Sequence, residues 1–440
     1  MSDAALGQYP DPALAARRLG AFQAAARFCV RSLTLLGIAL FFLVSPMLLF
    51  NWGFSYEDVG GSVIEKVHPG TWLVLLALVL VAFGRGNPLT ILDDFSRPPA
   101  LAMYLFAWAL LMFFTIVIKK GPFTPLIDTF ALPAMLFALA GTMAASEKRR
   151  AALIIHLLLN ANALLGLYEY LSGYRLTPYV AGTLLIEVDW RSTALLGHPL
   201  ANASITGSYA LLLGLGGGQD LPKLMRPAVM SLQLIAMIAF GGRSALVLTI
   251  LLLACVGFWD MSRFLRGGRV DMLQTGLMLM AAPVVIAAFI YAIDAGFFDQ
   301  MLQRFVDDQG SAKARVIMLK LFNYITWEDL VFGPDSALIS SLQRTEGIEY
   351  GIESFWVAFI LTNGVAMSMI FFLALFAFSW QLVTATRINT VILLIYFYLL
   401  ASTSVSLSAK TCSFGMFVIM ILTMMRVDAP SALRAIRVRR

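Results

Sequence analysis

Apolar residues in this chain come in long runs, without the strict alternation of a half-buried strand or the one-sided stripe of a soluble helix. The stretch "LQLIAMIAF" (232–240), the polar break "GGRSA" and then "LVLTILLLACVGF" (246–258) show the form. A membrane crossing takes about 20 mostly apolar residues. On that measure the chain predicts twelve spans, at about 32–50, 70–85, 99–118, 126–145, 151–171, 199–216, 225–240, 244–262, 272–293, 353–380, 388–408 and 411–426. The expected fold is all-α: a polytopic membrane protein of about twelve transmembrane helices with a large, partly helical outer loop. Residues 1–28 read as a tail, 29–426 as one membrane domain, and 427–440 as a basic tail.

Composition agrees. Of 440 residues, 60% are hydrophobic and 13% charged, against nearly half and a quarter in soluble domains. Three cysteines, Cys29, Cys255 and Cys412, lie in or beside apolar runs without any CxxC. That predicts small buried hydrophobes, with neither a disulfide framework nor a zinc site. A net charge of +6 would suggest nucleic acid in a soluble protein. Here it sorts topology, and no nucleic-acid partner is expected. Most of the 32 Lys and Arg residues fall in one alternate set of short connections, among them Arg17, Lys148, Lys223, Arg263, Arg387 and Arg426. Short basic loops stay in the cytoplasm, so both termini are expected inside, as an even number of spans requires.

The other side carries two long loops, 172–198 and 294–352. Loops of that length are functional or disordered, and "KARVIMLKLFNYITW" (313–327) argues for order. Val316, Leu319 and Phe322, with Leu321 and Ile325, recur at helical spacing. That helix would lie on the membrane surface or pack over the bundle. "FGPDS" (332–336) reads as a turn.

Arginine near a membrane costs free energy and marks function by default. Arg191, Arg243 and Arg315 fall on the outer face, with Arg243 in a very short connection between two spans. The planar guanidinium fork suits phosphate, and the anion natural to a membrane rim is a lipid-linked phosphate or diphosphate. Snorkelling to headgroups or pairing with a nearby acid is the plainer role open to each.

Four segments now read together: "RSTALLGHPLANAS" (191–204), "GGRSALV" (241–247), "ARVIMLKLFNYITWEDLVFGPD" (314–335) and "ESFWVAFILTNGVAMSMIFFLALF" (353–376). In this order, with the large outer loop before the last, the chain resembles the O-antigen ligase and O-antigen polymerase superfamily. These are GT-C type glycosyltransferases of the bacterial inner membrane, which take a glycan from undecaprenyl diphosphate at the periplasmic face. The resemblance covers about residues 185–380. It implies that Arg191, Arg243 and Arg315 bind phosphate, with Arg243 in the family's "SRG"-like position. The ligases often carry a histidine eleven residues ahead of a glycine. Counting back from Gly364 gives Glu353 instead, which favours the polymerase branch.

The chemistry needs a stabilised leaving diphosphate and a proton acceptor for the attacking hydroxyl. Preorganised arginines supply the first without a metal or other cofactor; Glu353 is the candidate base, with Arg243 and Arg315 as its catalytic companions. Glu349, one turn earlier, is the alternative base or a sugar ligand. Arg191, His198, Glu349, Arg344 and Trp190 are the candidate substrate-binding residues. His156, beside Asn160 and Asn162, reads as an internal packer, and His68 as an unremarkable loop residue. Asp307 and Asp308 read as a solvated turn, and Glu57–Asp58 as a weak acidic pair. The expected partners are an undecaprenyl-diphosphate-linked oligosaccharide, membrane lipids, and a chain-length regulator or export machinery. The expected function is a polysaccharide polymerase; the alternatives are an O-antigen ligase acting on a lipid A core or other acceptor, a transporter, and a non-catalytic export subunit. Transporters show internal repeats and mid-membrane ionisable groups, and the sequence has no repeat and hardly any mid-span acids.

Overall fold

The computed structural model describes residues 12–427 apart from 58–59, 86, 182–183, 187–188, 268–289, 291–292, 295, 307–310, 349–350 and 405–406. The described chain is helical apart from a two-residue antiparallel pair, Val180–Ala181 with Leu184–Leu185. The first half runs through α1 (Pro12–Leu43), α2 (Pro46–Asn51), α3 (Pro69–Gly84), α4 (Ile91–Ser96), α5 (Pro99–Phe113), α6 (Thr124–Leu126), α7 (Leu132–Thr142) and α8 (Ala145–Ser172). Next come α9 (Pro199–Leu212), α10 (Met225–Phe240) and α11 (Arg243–Leu265). The large loop holds α12 (Asp299–Val306), α13 (Ser311–Lys320), α14 (Trp327–Phe332) and α15 (Ser336–Thr345), and the chain closes with α16 (Phe355–Ala385), α17 (Thr390–Ala401) and α18 (Ser413–Met424).

Among the described residues, six helical stretches are long and apolar enough to cross a membrane, and four more apolar helices of 10–17 residues accompany them. Only helices and closed barrels satisfy every backbone group in lipid, and this chain takes the helical solution. Eleven of the expected spans overlap helices, six of the helical stretches being long enough to cross; the remaining expected span, 272–293, lies almost wholly outside the described residues. The largest boundary difference is at the start. Helix α1 begins at Pro12, so the expected tail boundary at residue 28 falls inside a helix.

Between helices that gain no hydrophobic driving force from lipid, close contact needs small side chains. Gly37 of α1 and Gly70 of α3 supply it: a methyl group on Gly70 would stand 2.9 Å from the Gly37 carbonyl. The core is aromatic, with Phe397 stacked on Phe417 at 4.4 Å and Tyr104 on Phe378 at 4.7 Å. Cys29 and Cys255 are not core residues as expected; both are exposed on helix surfaces, and only Cys412 is half-buried.

Connections bond within two separate sets. At one end Lys410 Nζ donates to the Tyr56 carbonyl and Lys119 Nζ to those of Gly333 and Pro334. At the other end Arg149 and Arg426 both meet Asp220. The first set includes the long loops and the second the short basic ones.

The large loop is ordered around its own small core. Met318, Leu321, Ile325, Ile339 and Ile348 pack on Ala358 and Leu361 of α16. Along and beyond α13 the expected positions therefore divide: Leu321 and Ile325 are buried as read, and Phe322 is half-buried. Val316 and Leu319 are exposed, while Met318 and Leu321 turn inward. The helix also stops earlier, in a 3-10 turn at Leu321–Tyr324, because Thr326 caps α14 by accepting from the Asp329 amide. The expected turn at 332–336 is present, with Asp335 capping α15.

Candidate functional site

The loop-rich end is assembled from buried carboxylates outward. Glu169, in the last turn of α8, accepts from the amides of Leu176, Thr193 and Ala194 at 2.8–2.9 Å. A carboxylate filled by backbone donors is a strong anchor, and it folds residues 176–194 back over α8. Ser192 then donates its amide to Ala239 at the end of α10. That bond sets Trp190 and Arg191 against the Gly241–Gly242 corner. Gly241 adopts φ +65°, and a side chain there would meet Arg191 Cγ at 2.7 Å and the Trp190 ring at 2.8 Å. The corner needs glycine on both counts.

Arg243 is the first residue of α11, half-buried, as the short connection predicts. A cation at a helix N-terminus opposes the helix dipole, at a cost of about 0.3–1 kcal/mol.

Arg191 is occupied. Its Nε meets both Asp189 oxygens at 3.1 and 2.9 Å, its Nη2 reaches Asp189 Oδ2 at 2.6 Å and the Tyr179 hydroxyl at 3.0 Å, and the side chains of the pair are 12% exposed. Burial pushes the Asp189 carboxyl up, but Arg191 outweighs it and holds it below its ordinary value. The expected phosphate ligand is thus a structural post of its own loop.

His198 caps α9. Its Nδ1 accepts the Leu200 amide at 3.2 Å, and Tyr179 meets its ring edge-on at 5.5 Å. Burial first, and Arg191 second, lower its pKa from 6.5 to about 4. The ring is therefore neutral near pH 7, and with Nδ1 accepting, its proton sits on Nε2 as a donor. His68, expected to be unremarkable, has the same architecture: Nδ1 accepts from Gly70 at the start of α3, and Nε2 donates to the Val44 carbonyl at 2.9 Å. In both, proline follows at the first helical position, where its missing N–H costs nothing.

Arg315 and Glu353 come together across the large loop. Arg315 Nε lies 3.7 Å from Glu353 Oε2, and both side chains are 38% exposed. That distance is too long for a hydrogen bond. The Nε atom is itself buried and makes no hydrogen bond among the described residues. The segment is held by an unusual seat. Gly364 breaks α16 with φ +79°, and a methyl group on it would stand 2.3 Å from the Gly333 amide and 2.6 Å from the Val331 carbonyl. Helix α14 ends in that notch, where Lys119 donates to Gly333 and Pro334.

The remaining candidates divide. Trp190 packs edge-to-face on Tyr170, whose hydroxyl donates to the Phe297 carbonyl, so an aromatic wall joins the two loops. Arg344 is exposed in the last turn of α15, a site the helix dipole favours, and among the described residues it bonds to none of the other candidates. Glu349, Asp307, Asp308 and Asp58 lie outside the described residues. His156 is the expected internal packer, bonded to the Tyr209 hydroxyl at 2.5 Å.

Sequence reading missed Asp128. It is fully buried in a π-helical turn and accepts from the Tyr56 hydroxyl at 2.8 Å, Thr71 at 2.7 Å and the His68 amide at 3.1 Å. Lys410 sits 3.5 Å over the Tyr56 ring, its pKa lowered from 10.5 to about 8 chiefly by burial. A lone acid in an apolar run was the available signal.

The fold and these loop sites define a membrane-embedded, all-helical protein. No model of a known protein family matches the chain, and no curated protein matches it.

Proposed function

We propose that the chain is a polysaccharide polymerase of the bacterial inner membrane, its loop-rich end facing the periplasm. It would transfer a glycan from undecaprenyl diphosphate to a hydroxyl of another lipid-linked glycan. One observation carries the reading: the buried Nε donor of Arg315, unbonded among the described residues, beside the Glu353 carboxylate. An uncommitted donor in a partly dry site awaits an acceptor, since leaving it unmade costs about 1–3 kcal/mol.

In the reaction the anomeric carbon–oxygen bond to the diphosphate breaks while the acceptor oxygen bonds to that carbon. Negative charge grows on the leaving diphosphate. Arg315 supplies a donor to it, and Arg243, placed against its own helix dipole, supplies a second positive charge. Glu353 takes the proton of the acceptor hydroxyl. An arriving phosphate competes with Glu353 for Arg315 and so releases the carboxylate for that task. Arg191 contributes by holding Trp190 and the corner before Arg243, and Trp190 offers a flat face for a sugar ring.

Glutamate at position 353, where the resembling ligases carry histidine, favours the polymerase over the ligase. Against a transporter, the two buried acids at this end, Asp128 and Glu169, are filled with fixed donors. Alternating access needs such groups to exchange partners.

The test is the length distribution of lipid-linked glycan in cells with and without the protein, and with Arg243→Ala or Arg315→Ala. Loss of the ladder with accumulation of single lipid-linked repeats supports polymerisation. An intact ladder that never reaches its final acceptor replaces it with ligation, and a ladder indifferent to both substitutions rejects catalysis here.

A further inference from the structure

The basic end holds a cavity of ≈ 210 Å³. At roughly 30 Å³ per water, it has room for a phosphate group with its glycerol. Phe137, Ala140, Ala385 and Leu422 give it an apolar lining, and Lys148 and Arg426 a cationic one. The charge there is not balanced. Arg426 spends one nitrogen on Asp220 at 2.5 Å and another on the Thr423 carbonyl, while Arg149 approaches the same Asp220 at 3.5 Å. One carboxylate thus serves two guanidinium groups. Glu147, the acid next to Lys148, is turned to the Ala144 amide. Among the described residues no carboxylate pairs with Lys148, and the charge that acts on it is Arg426, of the same sign. Two like charges facing one half-buried hollow call for an anion between them.

We propose that this cavity binds the phosphate of an anionic phospholipid, held between Lys148 and Arg426. The apolar side then lies along the start of an acyl chain, and the headgroup sits where the short basic connections meet the membrane. A free inorganic anion offers the same phosphate chemistry but leaves the apolar walls unused. The site is remote from Arg315 and Glu353 in the chain, lies among the opposite set of connections, and stands whether or not the proposed transfer reaction does.

The full-length chain in detergent micelles is titrated with phosphatidylglycerol, phosphatidylcholine or inorganic phosphate. Its thermal midpoint is followed, and native mass spectrometry counts the bound lipid. Phosphatidylglycerol is expected to raise the midpoint and remain bound, and the other two to do neither. Lys148→Gln should weaken phosphatidylglycerol binding about fivefold, the loss expected for one cation at an anionic surface, while Lys148→Arg keeps it. Ala385→Phe, at an exposed position on the wall, should block binding by filling the hollow without touching a charge. Equal binding by wild type, Lys148→Gln and Ala385→Phe overturns the proposal. A shift that inorganic phosphate reproduces removes the lipid as occupant.

Discussion

Arg191 and Arg315 belong to the same end of the molecule and carry the same guanidinium, yet they are held in opposite ways. Arg191 makes a two-pronged pair with Asp189, two residues away on its own loop, and adds a tyrosine hydroxyl. Arg315 faces an acid from a distant segment at 3.7 Å and keeps a buried nitrogen that makes no hydrogen bond among the described residues. A closed pair contributes to the loop that contains it. An open one stores donor capacity, and such capacity suits an incoming anion. Residue type alone did not separate them; the spacing of their acids did.

The contrast breaks most severely if the seat of the open pair is removed. Gly364→Ala places a methyl group 2.3 Å from the Gly333 amide in a left-handed conformation. Strain of about 1–3 kcal/mol for a backbone at φ +79°, ψ 164° and about 1–3 kcal/mol for overpacking should lower the thermal midpoint markedly. Helix α14 should come away from α16 and abolish activity; a midpoint and activity like wild type would mean that the notch does not hold the loop.

Arg191→Ala should come next. It strips a largely buried carboxylate of its partner, at about 3 kcal/mol, and Asp189→Ala added to it should restore part of the loss, measured by a double-mutant cycle in thermal or denaturant unfolding. Arg315→Ala should differ in kind. Its exposed pair is worth no more than about 1 kcal/mol of stability, while polymer formation should fall about 10²–10³-fold. Matching profiles for the two substitutions would erase the distinction.

The effect of replacing His198 is nil at neutral pH and shows only in acid. Its folded-state pKa of about 4 lies below the ordinary 6.5, so its contribution to stability is full above pH 6.5. That contribution is lost as pH falls from 6.5 towards 4, because the unfolded chain binds the proton first. His198→Asn keeps a cap acceptor and removes the titration. The acid limb of the stability curve should flatten in that window and stay unchanged above it.

Much of this architecture is legible from residue order. Spans such as 99–118 and 151–171 coincide with helices because a 20-residue apolar run has no other way to satisfy its backbone in lipid. The "GGR" break, read as a very short connection, leaves only Gly241 and Gly242 between α10 and α11. The loop helix at 311–320 was legible as a helix but not in its buried face: Val316 and Met318 are both apolar, and only the tertiary seat on α16 decides which one turns inward. The role of Asp128 was illegible for a similar reason. Its donors come from Tyr56, His68 and Thr71, far back in the chain, and no local pattern joins them. Asp189 stood in plain view two residues before Arg191, where an acid so near an arginine already argues for a closed pair.

The central claim, that Arg315 and Glu353 form the working site, is tested most directly by the glycan profile of cells carrying Glu353→Gln at wild-type protein abundance. The account predicts a folded protein, accumulated single lipid-linked repeats and no long chains. A full ladder from that variant would contradict it.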